Sequence, residues 1–185
     1  GLRVDLEGKV MKFEYWLGVD QSVFPANSFV VKRSATQHPE KRKILGQYLR
    51  GWAMGLEFGE HNPRAATDIV FKSLPIVKSN LGADLGTESM LQLANVFRGN
   101  MDERQGWGYH DWGSWKAYFK IIRSIGQLKR DVNVGKVINN DFIGAANDFD
   151  VNKVMADAKG YKLSADLAKV DIDKIKGRFY ANVVK

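Results

Sequence analysis

Residues 38–75, HPEKRKILGQYLRGWAMGLEFGEHNPRAATDIVFKSLP, decide how the rest of the chain is read. Ile44, Leu45, Tyr48, Leu49, Trp52 and Leu56 recur at spacings of three and four, the period of a helix face and not the alternation of a strand. Pro39 suits a first helical turn, where its missing N–H leaves no bond unmade. Asn62 offers a side-chain oxygen as cap to a second helix, and Pro63 takes that helix's first position. Pro75 then stops or kinks it, because the ring removes a donor and crowds the preceding turn.

Helical signals continue downstream. Thr87 is expected to cap TESMLQLANVFRG, residues 87–99, with Met90, Leu91, Ala94 and Phe97 buried and Gly99 at its end. Asp111 is expected to cap residues 111–126, DWGSWKAYFKIIRSIG, whose Trp112, Trp115, Phe119 and Ile122 form a core-facing stripe that Gly126 ends. A short helical turn is expected around Val134 to Ile138, and a last helix runs from the cap Asp150 to Gly160. Residues 1–33 differ: β-branched and aromatic residues broken by Gly8, Gly18 and Pro25 read as short strands and loops, with Ser28 to Lys32 the best strand. So few strands imply that the rest of a sheet lies elsewhere.

Composition is that of a globular chain, with 44% hydrophobic and 26% charged residues among 185. No apolar run approaches the ~20 residues that span a bilayer, and no basic-then-apolar leader is visible. With no cysteine, disulfides, thiolate catalysis and cysteine-based zinc sites are excluded. The net charge of +7 and pI near 9.5 raise the question of nucleic acid. The basic residues are interleaved with Asp and Glu, and no RNA- or zinc-finger-type motif accompanies them. A basic surface that favours anionic ligands is the expectation, with no nucleic-acid partner.

Catalytic constellations are missing. His38, His61 and His110 lie far apart; Glu57 and His61 stand one helical turn apart, but two groups do not make a metal site. His61 reads as a cation compensating a helix C-terminus. A calcium-loop reading from Asp131 fails because Phe142 stands where a bidentate Glu is required. Gly106-Trp107-Gly108 lacks phosphate-loop spacing, no Ser has a nucleophile-elbow context, and Asp150, paired with Asp148 in NDFD, is used as a cap.

The stretches ANSFVVKRSATQHPEKRKILGQYLRGWAMGLEFGEHNPRAATDIVF, WGSWKAYFKIIRSIGQLKRDVNVGKVINNDFI and ANDFDVNKVMADAKGY, in that order, resemble the C-terminal half of nitrate/sulfonate/taurine-type ABC-importer substrate-binding proteins, a group that includes thiamine-pyrimidine-precursor binders. The resemblance implies an α/β fold, the C-terminal portion of a type II periplasmic-binding-protein-like architecture, helix-rich with a few short strands. It implies a β-rich return segment along an inter-lobe cleft in residues 1–33 and a helical portion in residues 34–185. Its implied partners are a small organic ligand, for which the +7 charge leans towards an anion, a membrane ABC permease and an N-terminal half of the same protein, in a periplasmic or extracytoplasmic setting. No cofactor, metal or catalytic residue is expected.

On that reading the segment FPANSF follows the cleft, so Phe24, Asn27 and Ser28 are the leading ligand contacts, followed by Tyr15 and Trp16. In WGYHDWGSW, residues 107–115, helical spacing assigns Trp112 and Trp115 to the core. Trp107 and His110 sit on a glycine-flanked loop, where side chains are freer to meet a ligand. Two alternatives stand beside the importer reading. One is an enzyme of thiamine-pyrimidine synthesis on the same fold, which calls for a cysteine motif this chain lacks; the other is a basic interaction domain for an acidic partner, marked by steep salt dependence.

Overall fold

A computed structural model of the chain describes residues 5–6, 9–10, 25, 27–98 and 104–175. Its elements in order are β1 (Asp5–Leu6), β2 (Lys9–Val10), α1 (Arg33–Gln37), α2 (Pro39–His61), α3 (Pro63–Ser73), α4 (Pro75–Arg98), α5 (Trp112–Ser124), a 3-10 turn (Val134–Lys136), α6 (Ile143–Asn147), α7 (Val151–Gly160) and α8 (Ala165–Ala168).

The expected α/β, type II periplasmic-binding fold is therefore corrected to a helical one. Among the described residues the strand pairing is confined to β1 and β2, two residues each, antiparallel with Asp5 opposite Val10 and Leu6 opposite Lys9. The expected strand at Ser28–Lys32 is not in a sheet, and its Val30 is 91% exposed. β-branched composition favours an extended backbone, but a strand exists only where a partner completes its ladder.

Most helix boundaries follow from local chemistry. Asn62 Oδ1 accepts the Ala65 N–H at 3.1 Å, and Pro63 opens α3. Asp111 Oδ1 accepts from Ser114 N at 2.6 Å at the start of α5, and Asp150 Oδ1 from Lys153 N at 3.0 Å at the start of α7. Pro75 separates α3 from α4. The expected cap at Thr87 is corrected: Thr87 lies inside α4, fully buried, and the break in that helix falls earlier, at Gly82, whose φ of 68° suits a residue without Cβ.

The chain divides into two compact units, residues 1–43 with 109–142 and residues 44–108 with 143–185. In the first unit Arg33 Nη2 donates to Lys136 O at 2.8 Å, and the Arg42 guanidinium lies 4.9 Å from the Phe142 ring centre. The stripe on α5 is half-buried at Trp115, Phe119 and Ile122, whereas Trp112 is 36% exposed. Trp112 occupies the first helical position, and the stripe is covered only from Trp115 onward, which corrects the expectation of a core Trp112.

The second unit has two apolar clusters. Phe71, Leu91, Leu167, Val170 and Ile175 form one; Ala53, Leu56 and Trp107, flanked by Trp52, Phe97 and Phe149, form the other. Complete burial of a side chain such as Leu167 is worth about 1.5–3 kcal/mol. The stripe on α2 docks only in part: Leu56 is buried and Leu45, Leu49 and Trp52 are half-buried, whereas Ile44 and Tyr48 are exposed and Gly46, Ala53 and Gly59 share the buried side. The reason is closeness of approach. A Cβ on Gly46 would stand 3.2 Å from Ala145 Cβ of α6, so α6 takes the small face.

One polar network ties this unit together. Asp68 of α3, only 3% exposed, accepts from Ser164 N at 3.1 Å and Ser164 Oγ at 2.9 Å, and from Lys72 Nζ at 3.1 Å. Lys72 Nζ also donates to the Tyr161 hydroxyl at 2.9 Å. Asp166 accepts from the same Ser164 hydroxyl at 2.6 Å and pairs with Lys78 Nζ at 2.7 Å. Burial pushes the Asp68 carboxyl up, but the bonds from Ser164 and then Lys72 outweigh it and hold the group below the ordinary carboxylate value. Lys78, then Ser164, hold Asp166 far below it.

Two outcomes follow for stability. Gly86→Ala would bring a Cβ within 2.6 Å of Phe71 Cζ and 2.9 Å of Thr67 Cγ2, and overpacking of that kind costs about 1–3 kcal/mol in urea unfolding. A carboxylate held below its unfolded value stabilises the fold above that value and loses the contribution as pH falls through its folded value. The thermal midpoint should therefore drop once pH falls below the ordinary value of 3.8. Asp68→Asn should lower stability at neutral pH by about 1–3 kcal/mol and make that acid drop shallower.

Candidate functional site

Charge is divided unequally between the two units. The first holds fourteen Lys and Arg against eight Asp and Glu, +6 of the chain's net +7; the second holds fourteen against thirteen. In the first unit α5 sets Lys116, Lys120 and Arg123 at i, i+4 and i+7, along one helix face, with Phe119 beside them. The chain turns back after Ile125, Gln127 N–H and Leu128 N–H both donating to Ile122 O, so Leu128, Asp131, Val132 and Val134 supply the opposite wall. The result is a groove of about 230 Å³ with Phe119, Leu128 and buried Val134 as its apolar surface.

Three cations share this groove with one carboxylate. Arg123 is held by the wall itself: Nη1 donates to Leu128 O at 3.3 Å, and Nε lies 3.5 Å from Asp131 Oδ1. Both partners of that ion pair are solvated, so the attraction is weak and screened. Lys116 and Lys120 have no partner among the described residues. Two free ammonium groups beside an aromatic ring suit an anion with an apolar body. Nothing lining the groove combines an acid, a base and a nucleophile, and among the described residues no group of three His, Asp or Glu could hold a metal ion.

None of the sequence-derived contacts is among the residues that line this groove. Tyr15, Trp16 and Phe24 lie outside the described residues. Asn27 and Ser28 are exposed, outside any helix or strand, in the first unit. Trp107 belongs to the second unit, 3% exposed, with Nε1–H donating to Glu57 Oε2 at 2.6 Å. Glu57 Oε1 is shared with His61 Nε2 at 2.9 Å. His110 belongs to the first unit, where its Nδ1 accepts from Trp115 Nε1–H at 3.2 Å; the indole only donates, so the neutral ring carries its proton on Nε2.

Each loop residue is gripped through its backbone by an asparagine. Asn147 accepts from Trp107 N–H at 2.8 Å and donates to Trp107 O at 3.1 Å. Asn140 does the same for His110, at 3.0 and 2.8 Å. The close approach of Asn147 requires Gly106, at φ 122°, since a Cβ there would stand 2.5 Å from the amide carbon. The cluster WGYHDWGSW is thus split between two units and anchored at both. Sequence reasoning missed Lys116, Lys120 and Arg123, although their i, i+4, i+7 spacing on an amphipathic helix was readable.

No family model, curated protein or solved structure matches the chain. No helix among the described residues is long and apolar enough to cross a membrane.

Glu57→Ala leaves the buried Trp107 indole N–H without an acceptor and His61 without its partner. Urea unfolding should register a loss of about 1–3 kcal/mol, and Glu57→Gln, which retains one acceptor oxygen, a smaller one.

Proposed function

We propose that this chain is the solute-binding component of an ABC importer, taking a small organic anion and passing it, unchanged, to a membrane permease in an extracytoplasmic setting. Its implied company is the permease and an N-terminal half of the same protein. The observation that carries the reading is the groove on α5, where unpaired Lys116 and Lys120 and the anchored Arg123 surround Phe119 in the unit that holds most of the net charge. The order of the His-Pro-Glu, Asn-Pro, aromatic-led and Asp-capped helix starts supports the importer resemblance, and α2, α3, α5 and α7 begin at those phrases. The expected two-lobed α/β fold forms no part of the proposal; the ligand site is the groove.

The charge also favours a second reading. The excess of the first unit extends past the groove to Lys32, Lys41, Lys43, Lys129 and Arg130, all exposed, which suits a basic interaction domain docking on an acidic macromolecule.

Calorimetry with benzenesulfonate, an anion carrying a ring for Phe119, separates the two. A solute binder saturates at one molecule per chain, returns the compound unchanged, and loses about fivefold or more in affinity in Lys116→Ala or Lys120→Ala. No saturation by about 10 mM, with tight and steeply salt-dependent binding of heparin instead, overturns the importer reading in favour of the interaction domain.

A further inference from the structure

The second unit carries a cleft of its own, about 490 Å³, within the usual range of small-molecule sites. One wall is the part of α4 after its break, with Asp84, Leu85 and Glu88; the other is the chain following α8, with Lys169, Asp171, Lys174 and Ile175. Glu88 is the unusual member. It is 7% exposed and lines the cleft, yet among the described residues it takes part in no hydrogen bond or ion pair. Its stem is covered by the fold while its carboxylate oxygens are not sealed from solvent, so an acceptor on a held side chain stands open to the cleft. Asp68, the other acid of low exposure, is by contrast surrounded by donors of the fold itself.

Asp84 stands one helical turn before Glu88 and is likewise unpaired, so two like charges face the same space. Lys169 and Lys174 line the opposite wall and make no ion pair with either acid. Opposite charges that share a cleft without meeting across it leave room for a molecule bearing both signs. Leu85 and Ile175 offer apolar surface for what lies between them. Asp171 is already engaged, its Oδ1 accepting from Lys174 N–H at 3.0 Å.

We propose that this cleft is a binding site for a small zwitterion of the amino-acid class, its ammonium group received by Glu88 and Asp84 and its carboxylate by Lys169 and Lys174. The site is separate from the groove on α5 and does not depend on the importer reading. A cation alone would meet the two lysines and an anion alone the two acids; a zwitterion satisfies both walls.

The test titrates the whole chain by calorimetry with the series of unbranched ω-amino acids from glycine to 6-aminohexanoate, with butylamine and butyrate as singly charged controls. One or more members should saturate a single site. Affinity should fall about tenfold or more in Glu88→Gln and in Lys174→Gln, while Lys120→Ala leaves it unchanged. Lys174 is exposed, so its variant decides the matter if Glu88→Gln fails to fold, as circular dichroism would show. The inference is overturned if no member saturates by about 10 mM, if the folded variants bind like the parent, or if butylamine or butyrate alone binds as well. Loss in Lys120→Ala would overturn it too, by assigning the binding to the α5 groove.

Discussion

The second unit depends on the buried Asp68 carboxylate being fully partnered. Apolar surfaces tolerate sliding; a charge with 3% exposure does not. Ser164 supplies both its N–H and its hydroxyl, and Lys72 supplies an ammonium that Tyr161 also holds. Shifting α3 by one turn against the Tyr161–Ser164 segment would strand the carboxylate, so the network sets the register in which Phe71 meets Leu167 and Val170. The same serine reaches Asp166, and Lys78 secures Asp166 from α4. Four parts of the chain thus meet around one hydroxyl.

Small residues and side-chain amides do comparable work elsewhere. Gly46 lets α6 lie against α2, and Arg50 reinforces the contact by donating to Ala145 O at 3.0 Å and Asp148 Oδ2 at 2.9 Å. Asn140 and Asn147 each close around the backbone of one loop residue, holding an otherwise irregular stretch without burying it in a sheet or helix. Aromatic side chains that look like a ligand box in the sequence are thereby committed to structure: Trp107 to a core cluster and Glu57, His110 to Trp115.

What remains uncommitted is charge. Lys116 and Lys120 in one groove, and the side chains of Asp84, Glu88, Lys169 and Lys174 in the other cleft, have no partner among the described residues. The chemistry the two proposed sites offer is charge paired with apolar surface, Phe119 in the one and Leu85 and Ile175 in the other.

Local signals in the sequence determined α2, α3, α5 and α7, but not the short α6 and α8. Asn62, Asp111 and Asp150 cap where they were expected to, because a cap bonds to N–H groups two or three residues away and needs nothing distant. The basic balance was equally legible, being a property of composition. Tertiary structure alone decided the rest. Whether Ser28–Lys32 became a strand hung on a partner that local composition does not encode. Which face of α2 was buried hung on how near α6 could come, and Thr87 went into the interior of α4 because the helix broke at Gly82 and not at its best capping residue. Trp107 took a core place because Glu57, fifty residues away, offered its indole an acceptor. The burial of Glu88 in a charged cleft depends on α4 and the segment after α8 being brought together, a contact across some eighty residues that no local pattern announces.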